Sequence, residues 1–322
     1  MKKFLKYYLL ISAVCFWLID SHAETKDLSP QQYYEQMQRK LATGWNTWDT
    51  RSALTHVLLP YGAAIDLHVI DGKGIRKNSF TIGSGLLHAG PHTYDGKYTD
   101  ISLRWNDQKL RIESSADSLE NIIRITPLEE NNPEGKIIVV LKGVWQRDVK
   151  IQVNGQQFQF RPGNLKQEIK GQAYGKWIKS ERNEITFSTQ EPVTICCGSD
   201  IEPVKAQNKL RESADRFVNN NKKQYGDDYE VYNAMQNVLS WDNIYDPTIR
   251  KVITPVSRDW NINWSSNPNY GGFVLFCWDS YFASMMFSAG NRELAYANAV
   301  EITKSITESG FVPNFYSGND YK

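Results

Sequence analysis

The chain has 322 residues, is 41% hydrophobic and 12% aromatic, and carries a formal net charge of +1. Its lysines and arginines are spread out with no basic block, which argues against nucleic acid or an anionic membrane and for a neutral ligand. The four cysteines show no CxxC or Cys/His spacing and no acidic loop is spaced like an EF-hand, so neither a zinc site nor any cofactor is expected.

At the N-terminus, Lys2, Lys3 and Lys6 precede an apolar run from Tyr7 to Ile19, and the small residues Ser21 and Ala23 follow. This is the anatomy of a secretory signal cleaved after Ala23, and it predicts a periplasmic or secreted protein. The run of 13 residues is short of the roughly 20 that span a bilayer, so no stable membrane anchor is expected. Val14 is not the small residue that a lipidated Cys15 would need before it.

Ser29 as a cap and Pro30 at the first helical position predict a short amphipathic helix over Gln31 to Leu41, with Tyr33, Tyr34, Met37 and Leu41 at helical spacing. From about Ser52 to Gly198 the period changes to two. AAIDLHVI, DISLRW, KLRIESS, ENIIRITPL, KIIVVLKGVW, DVKIQVNG, QQFQFRPG, EITFS and VTICC read as short strands separated by turns such as Asn154-Gly155 and Pro162-Gly163. That many strands at this spacing predict a β-sandwich. His88 and His92 lie four apart, but Gly90-Pro91 between them predicts a loop, and no third ligand makes a metal site. Cys196 and Cys197 are neighbours whose mutual bridge would be strained, so buried thiols are expected, with a bridge from Cys277 to either left open.

At about Pro203 the helical period begins. Val204 to Tyr225, Tyr229 to Trp241 and Asn291 to Ser309 read as amphipathic helices, the last capped by Asn291, with an irregular segment from Asp242 to Asn269. The expected division is a signal peptide over 1–23, a β-sandwich domain over 24–202, and an α part over 203–322. Within the α part, Tyr270 to Gly290 reads as an uncharged helical run interrupted by one carboxylate, Asp279, beside Trp278. A lone acid in such a run caps a helix, pairs with Arg258 in the core, or is kept for a ligand. An aromatic face beside a carboxylate suits a pyranose ring, which stacks on the first and donates hydroxyl protons to the second.

The runs PVSRDWNIN (255–263), GGFVLFCWDSYFASM and LAYANAVEITKSITESGFVPNF resemble bacterial members of glycoside hydrolase family 63 and the mannosylglycerate-hydrolase-like group, and more distantly the trehalases of family 37. GWNTWDTRSALTHVLLPYG (44–62) is similar to the opening of the N-domain in the bacterial group. The resemblance implies a multidomain β + α protein, an N-terminal β-sandwich followed by the first helices of an (α/α)6 toroid. It also implies substrate-binding roles for Trp278 and Asp279 as the Trp-Asp pair that holds the glycone, for Arg258, for Asn314 in the Val-Pro-Asn loop and for Tyr281. Trp260 and Asn261 are supported by the bacterial group alone. The expected substrate is an oligosaccharide or small glycoside, an α-glucoside or α-mannoside, cleaved with inversion. Val256-Ser257 and Phe273 to Cys277 depart from the narrower trehalase pattern, which argues against trehalose.

Hydrolysis with inversion needs a carboxylic acid and a carboxylate base about 6.5–9.5 Å apart. The resemblance assigns both to later barrel loops, beyond Lys322, so the chain reads as an incomplete polypeptide that is inactive alone. Asp242, Asp246 and Asp259 read as turn and cap residues. A non-catalytic carbohydrate-binding protein is the alternative. An isomerase or lyase on the same toroid would usually carry histidines at its site, and none of the five lies after His92.

Overall fold

The computed structural model describes residues 28–81, 84–129, 133–258 and 273–317. The chain forms two compact units, Met1–Met37 and Gln38–Lys322. In the first, Ser29 and Gln32 make a reciprocal capping box, with Gln32 N donating to Ser29 Oγ at 3.3 Å and Ser29 N to Gln32 Oε1 at 2.9 Å. This starts helix α1, Pro30–Leu41, as expected from Ser29 and Pro30. The signal-peptide residues 1–23 lie outside the described residues, and among the described residues no helix is long and apolar enough to cross a membrane.

The second unit is mixed β and α. Its strands run β1 (Gly44–Asn46), β2 (His56–Leu59), β3 (Ala63–Ile70), β4 (Arg76–Lys77), β5 (Leu86–His92), β6 (Thr99–Trp105), β7 (Gln108–Asp117) and β8 (Glu120–Pro127). Then come β9 (Lys136–Gly143), β10 (Val149–Asn154), β11 (Gln157–Pro162), β12 (Ile169–Tyr174), β13 (Trp177–Glu181), β14 (Glu184–Ser188) and β15 (Val193–Cys197). They build two antiparallel sheets. One has the order β1-β2-β3-β9-β14-β13, with β4 on β3, and the other β10-β11-β12-β15-β8-β7-β6-β5.

The sandwich forms because alternate residues face one shared core. In β7 burial alternates along the strand, placing Leu110 and Ile112 inside. Ile65, Leu67 and Val69 of β3, Val139 and Leu141 of β9, and Phe187 of β14 meet Ile123, Ile125, Phe160 and Ile195 of the other sheet in that core. Each such side chain contributes about 1.5–3 kcal/mol on burial. The hairpin between β10 and β11 turns at Gly155, whose φ of +59° suits the glycine of the Asn-Gly pair. His88 and His92 lie in β5, not in a loop; a register shift between Ala89 and His92 accommodates Gly90-Pro91 within the strand.

Helices cover both outer faces. α2, Pro203–Tyr225, sets Ala206 and Leu210 on Ile122 of β8 and Cys196 of β15. Helix α3, Tyr229–Asp242, follows, and then a hairpin of β16 (Ile244–Asp246) and β17 (Lys251–Ile253) where the sequence reads as irregular. Strands of three residues are too short to show a period. β18, Val274–Phe276, leads directly into α4, Cys277–Ser288, then α5, Arg292–Thr303, and β19, Phe315–Ser317, pairs back on β18. The expected helical run from Tyr270 therefore begins as a strand, in its described part, and becomes a helix only at Cys277. Leu239, Tyr245, Val252, Ala283, Phe287 and Leu294 from these elements pack on Val57, Leu59 and Ala64 of the first sheet. Cys196, Cys197 and Cys277 are all free thiols, the first two buried, and burial pushes the Cys196 thiol up to about 11.

Candidate functional site

The Trp278-Asp279 pair sits at the N-terminus of α4. Phe276 precedes the helix in extended conformation and supplies no side-chain cap. The first-turn amide of Cys277 instead donates to the carbonyl of Asn314 at 2.9 Å. The β18–β19 pairing makes this possible, because Phe276 lies opposite Phe315 and delivers Asn314 to the helix start. The Asn314 backbone is thus brought to the start of the helix that carries the Trp-Asp pair, 35 or more residues away in sequence.

Asp279 is exposed, which does not fit the alternative of a carboxylate paired in the core. The run is apolar all round the helix, so its composition hides which face is covered. Ser280, Ala283, Ser284 and Phe287 form the buried face. Trp278, 70% exposed, continues through Phe282 and Met285 along the other. Asp279 lies in the first turn, where the helix dipole favours an anion. Tyr281 is half-buried, and its hydroxyl pairs with Thr303 Oγ1 at 2.8 Å, tying α4 to the end of α5. Trp260 and Asn261, with Trp264 and Asp259, lie outside the described residues.

Arg258 follows Val256, whose N–H donates to the Val274 carbonyl of β18 at 3.4 Å. It is 1% exposed, and its guanidinium donates to the carbonyls of Thr47 and Asp49 at 2.5 Å each and of Trp241 at 3.2 Å. It therefore fastens the Gly44–Gly62 stretch to the end of α3. Its own N–H faces Asp242 Oδ1 at 3.4 Å, and Asp246 Oδ1 accepts from Thr248 N at 2.8 Å, so both carboxylates stand at turns or element ends as expected.

Beside Arg258 lies a buried polar layer that sequence reasoning missed. His92 Nε2 pairs with Thr47 Oγ1 at 2.8 Å, and burial together with the Arg258 charge pushes its imidazole down to about 3. Burial pushes His56 down to about 4 and the Asp49 carboxyl up. On the outer face of β3, Asp66 accepts from Thr55 Oγ1 at 2.8 Å, His68 Nε2 at 3.0 Å and Lys142 Nζ at 2.6 Å. Burial pushes the Asp66 carboxyl up, yet the His68 and Lys142 contacts outweigh it and hold the group below the usual carboxylate range. Arg76 Nε donates to His68 Nδ1 at 3.0 Å, so the imidazole proton sits on Nε2, aimed at Asp66. The only sequence sign of this network is the i, i+2 spacing of Asp66 and His68 in a strand, which puts both on one face.

Trp278, Asp279 and Asn314 are each exposed, and near the start of α4 they offer one aromatic face, one anionic acceptor and one amide. Such a surface can stack on the C–H face of a sugar and hydrogen-bond its hydroxyls. No family model and no curated protein matches the sequence, so neither supports glycoside hydrolase family 63 specifically. Among solved structures the chain is similar to a bacterial glucoamylase complexed with acarbose, at 12% identity and a TM-score of 0.38, covering 85% of this chain and 51% of that one. It is also similar to a candidate kojibiose phosphorylase from the human microbiome, at 11% identity and a TM-score of 0.31, covering 81% of this chain and 41% of that one. The chain thus spans about half the length of the first and less of the second.

Proposed function

We propose that this chain is part of a secreted or periplasmic glycosidase, and that the N-terminus of α4 holds the glycone of its substrate. The observation that carries this reading is the contact between Cys277 N and the Asn314 carbonyl, which unites the Trp-Asp pair with the Val-Pro-Asn loop. In this reading Trp278 stacks on the sugar ring, Asp279 and Asn314 bind its hydroxyls, and Tyr281 lines the edge. The substrate class is an α-glucoside or α-mannoside, cleaved with inversion. The helices after Pro203 are then the opening of an (α/α)6 toroid that follows a sandwich domain over 24–202.

Asp279 binds in this scheme and transfers no proton. The acid and base of an inverting pair must flank the scissile bond about 6.5–9.5 Å apart, and a carboxylate fixed on glycone hydroxyls is not placed for either task. Arg258 acts as a positioning residue in this reading, through the carbonyls of Thr47, Asp49 and Trp241.

The test is titration of the chain with oligomaltosides and α-mannosides, followed by calorimetry, alongside hydrolysis assays of both. Native protein is expected to bind one of the two series, with Asp279→Asn and Trp278→Ala each weakening it at least tenfold while the melting temperature stays unchanged. Native-strength binding of both sugar series by the Asp279→Asn variant would overturn the assignment.

A further inference from the structure

The two halves of one outer sheet face are finished differently. Residues directly opposite across strands share a face, so the pairs Gln152 with Gln159, Gln157 with Gln172, and Gln172 with Cys196 define the side of the second sheet that faces away from the core. Phe158, Phe160 and Ala173 alternate with them and enter the core. α2 covers the Cys196 and Ile122 part of the outward face. It reaches Tyr174 at the end of β12, and the part over β10, β11 and the rest of β12 lies outside that cluster.

A cavity of about 900 Å³ lies there, closed at one side by Gly198, Ser199 and Asp200 on the way into α2. Gly198 makes this wall possible: its φ is +78°, and a Cβ would stand 2.2 Å from the Leu119 carbonyl. The polar lining consists mainly of amides, Gln152, Asn154, Gln157, Gln159, Gln167 and Gln172. Solvated strand faces are ordinarily filled by charged and β-branched residues, and asparagine is disfavoured there. An amide ladder on three adjacent strands is therefore a choice with a chemical reading.

Each amide presents an acceptor oxygen and two donor hydrogens. Sugar hydroxyls both donate and accept, so a set of amides meets them without regard to their orientation. Cross-strand neighbours stand about 5 Å apart and next-but-one residues along a strand about 7 Å apart, a grid on the scale of successive hydroxyls along a glycan. Gln159 Nε2 donates to Gln152 Oε1 at 2.5 Å, which ties the two side chains together and leaves the Gln152 amide hydrogens and the Gln159 oxygen for other partners. Ser199 Oγ, on the wall, is buried without a partner among the described residues.

Charge excludes the other polar ligands. Arg161, next along β11, is paired with Glu168, and Lys170 stands in a lining that also holds Asp200. A phosphate or nucleic-acid site would cluster free cations. A peptide added to the edge of β10 would use backbone groups, whereas the amides run inward across β11 and β12, away from that edge.

We propose that this cleft binds a neutral oligosaccharide, at a site separate from the N-terminus of α4. The inference stands on the sandwich alone and does not depend on the glycosidase reading.

The experiment is native affinity electrophoresis of the full chain in gels containing soluble amylose, mannan or β-glucan, with a soluble extended peptide as a competitor. At least one glycan is expected to retard the protein. The double variant Gln159→Ala/Gln172→Ala should raise the apparent dissociation constant at least tenfold, and Gln157→Glu, which keeps the side-chain size, should weaken binding as well. Melting temperatures should be unchanged in both, and because amylose and mannan also belong to the α-glycoside class proposed for α4, the glutamine substitutions are repeated on an Asp279→Ala background, where they should abolish whatever retardation remains. No retardation in any gel would overturn the proposal. So would native retardation of both glutamine variants, or competition by the peptide. Loss of retardation in Asp279→Ala alone would place the binding at α4, overturning this inference while supporting the other.

Discussion

Arg258 holds the carbonyl of Asp49 at 2.5 Å across 209 residues of sequence. Together with Thr47 and Trp241 it leaves three buried carbonyls dependent on one guanidinium. Each buried acceptor that loses its donor costs about 1–3 kcal/mol. Arg258→Met, similar in length and unable to donate, is therefore expected to lower stability by about 3–5 kcal/mol. Urea unfolding followed by tryptophan fluorescence measures this. A midpoint equal to the native one, accompanied by lost sugar binding, would show that Arg258 reaches ligand and not backbone.

The two faces of α4 separate packing from binding. Phe287 is fully buried against Leu239, Tyr245 and the first sheet, and Phe287→Ala should cost about 3–5 kcal/mol by leaving a cavity. Trp278, on the opposite face, should change stability by no more than about 0.5 kcal/mol on Trp278→Ala. Paired thermal melts decide this. A large loss from Trp278→Ala would mean that the indole is a packing element, and the sugar platform would lose its aromatic member.

Asn291 tests the start of α5. Its side chain accepts from Leu294 N at 3.0 Å, as its place before the apolar-periodic run predicts. Asn291→Ala should lower stability by about 0.5–2 kcal/mol, whereas Asn291→Gly should lower it by only a few tenths. Equal losses in chemical denaturation of the two variants would argue that the contact to Leu294 N carries no energy.

The sandwich was legible in the sequence because a half-buried strand repeats every second residue. In β7, KLRIESS shows that repeat, and burial follows it along the strand. α2 and α3 were legible for the same reason at the helical period, and Pro203 marks the change. Short-range pattern could not reveal β16, β17 or β18, each three residues long. Nor could it reveal the exposure of Asp279, since a helix apolar on both faces has no period to orient it. The Arg258 lock was hidden because its partners are backbone carbonyls, and every residue has one. The approach of the Asn314 backbone to the start of α4 depended on the β18–β19 pairing, which has no short-range signal in the sequence.

Acidification should destabilise the fold in a window set by His56 and His92. Both are buried, with folded values lowered from the ordinary 6.5 to about 4 and about 3. The unfolded chain therefore binds protons first as pH falls below 6.5, and the folded state does not follow until near 4 and 3. Stability is fully present above pH 6.5 and declines below it, by about 1.4 kcal/mol per pH unit for each histidine. Asp66 has the opposite origin and a lower window: its carboxyl is held below the usual value, so its contribution is present above about pH 4 and lost only as pH falls further. Urea denaturation at pH 7, 6, 5 and 4 should show a continuous fall in midpoint. His56→Gln, which cannot titrate, should flatten the slope between pH 6 and 4 by about half. A midpoint independent of pH over that range would mean that both imidazoles stay accessible to protons in the folded protein, and the buried polar layer beside Arg258 would have to be open to water.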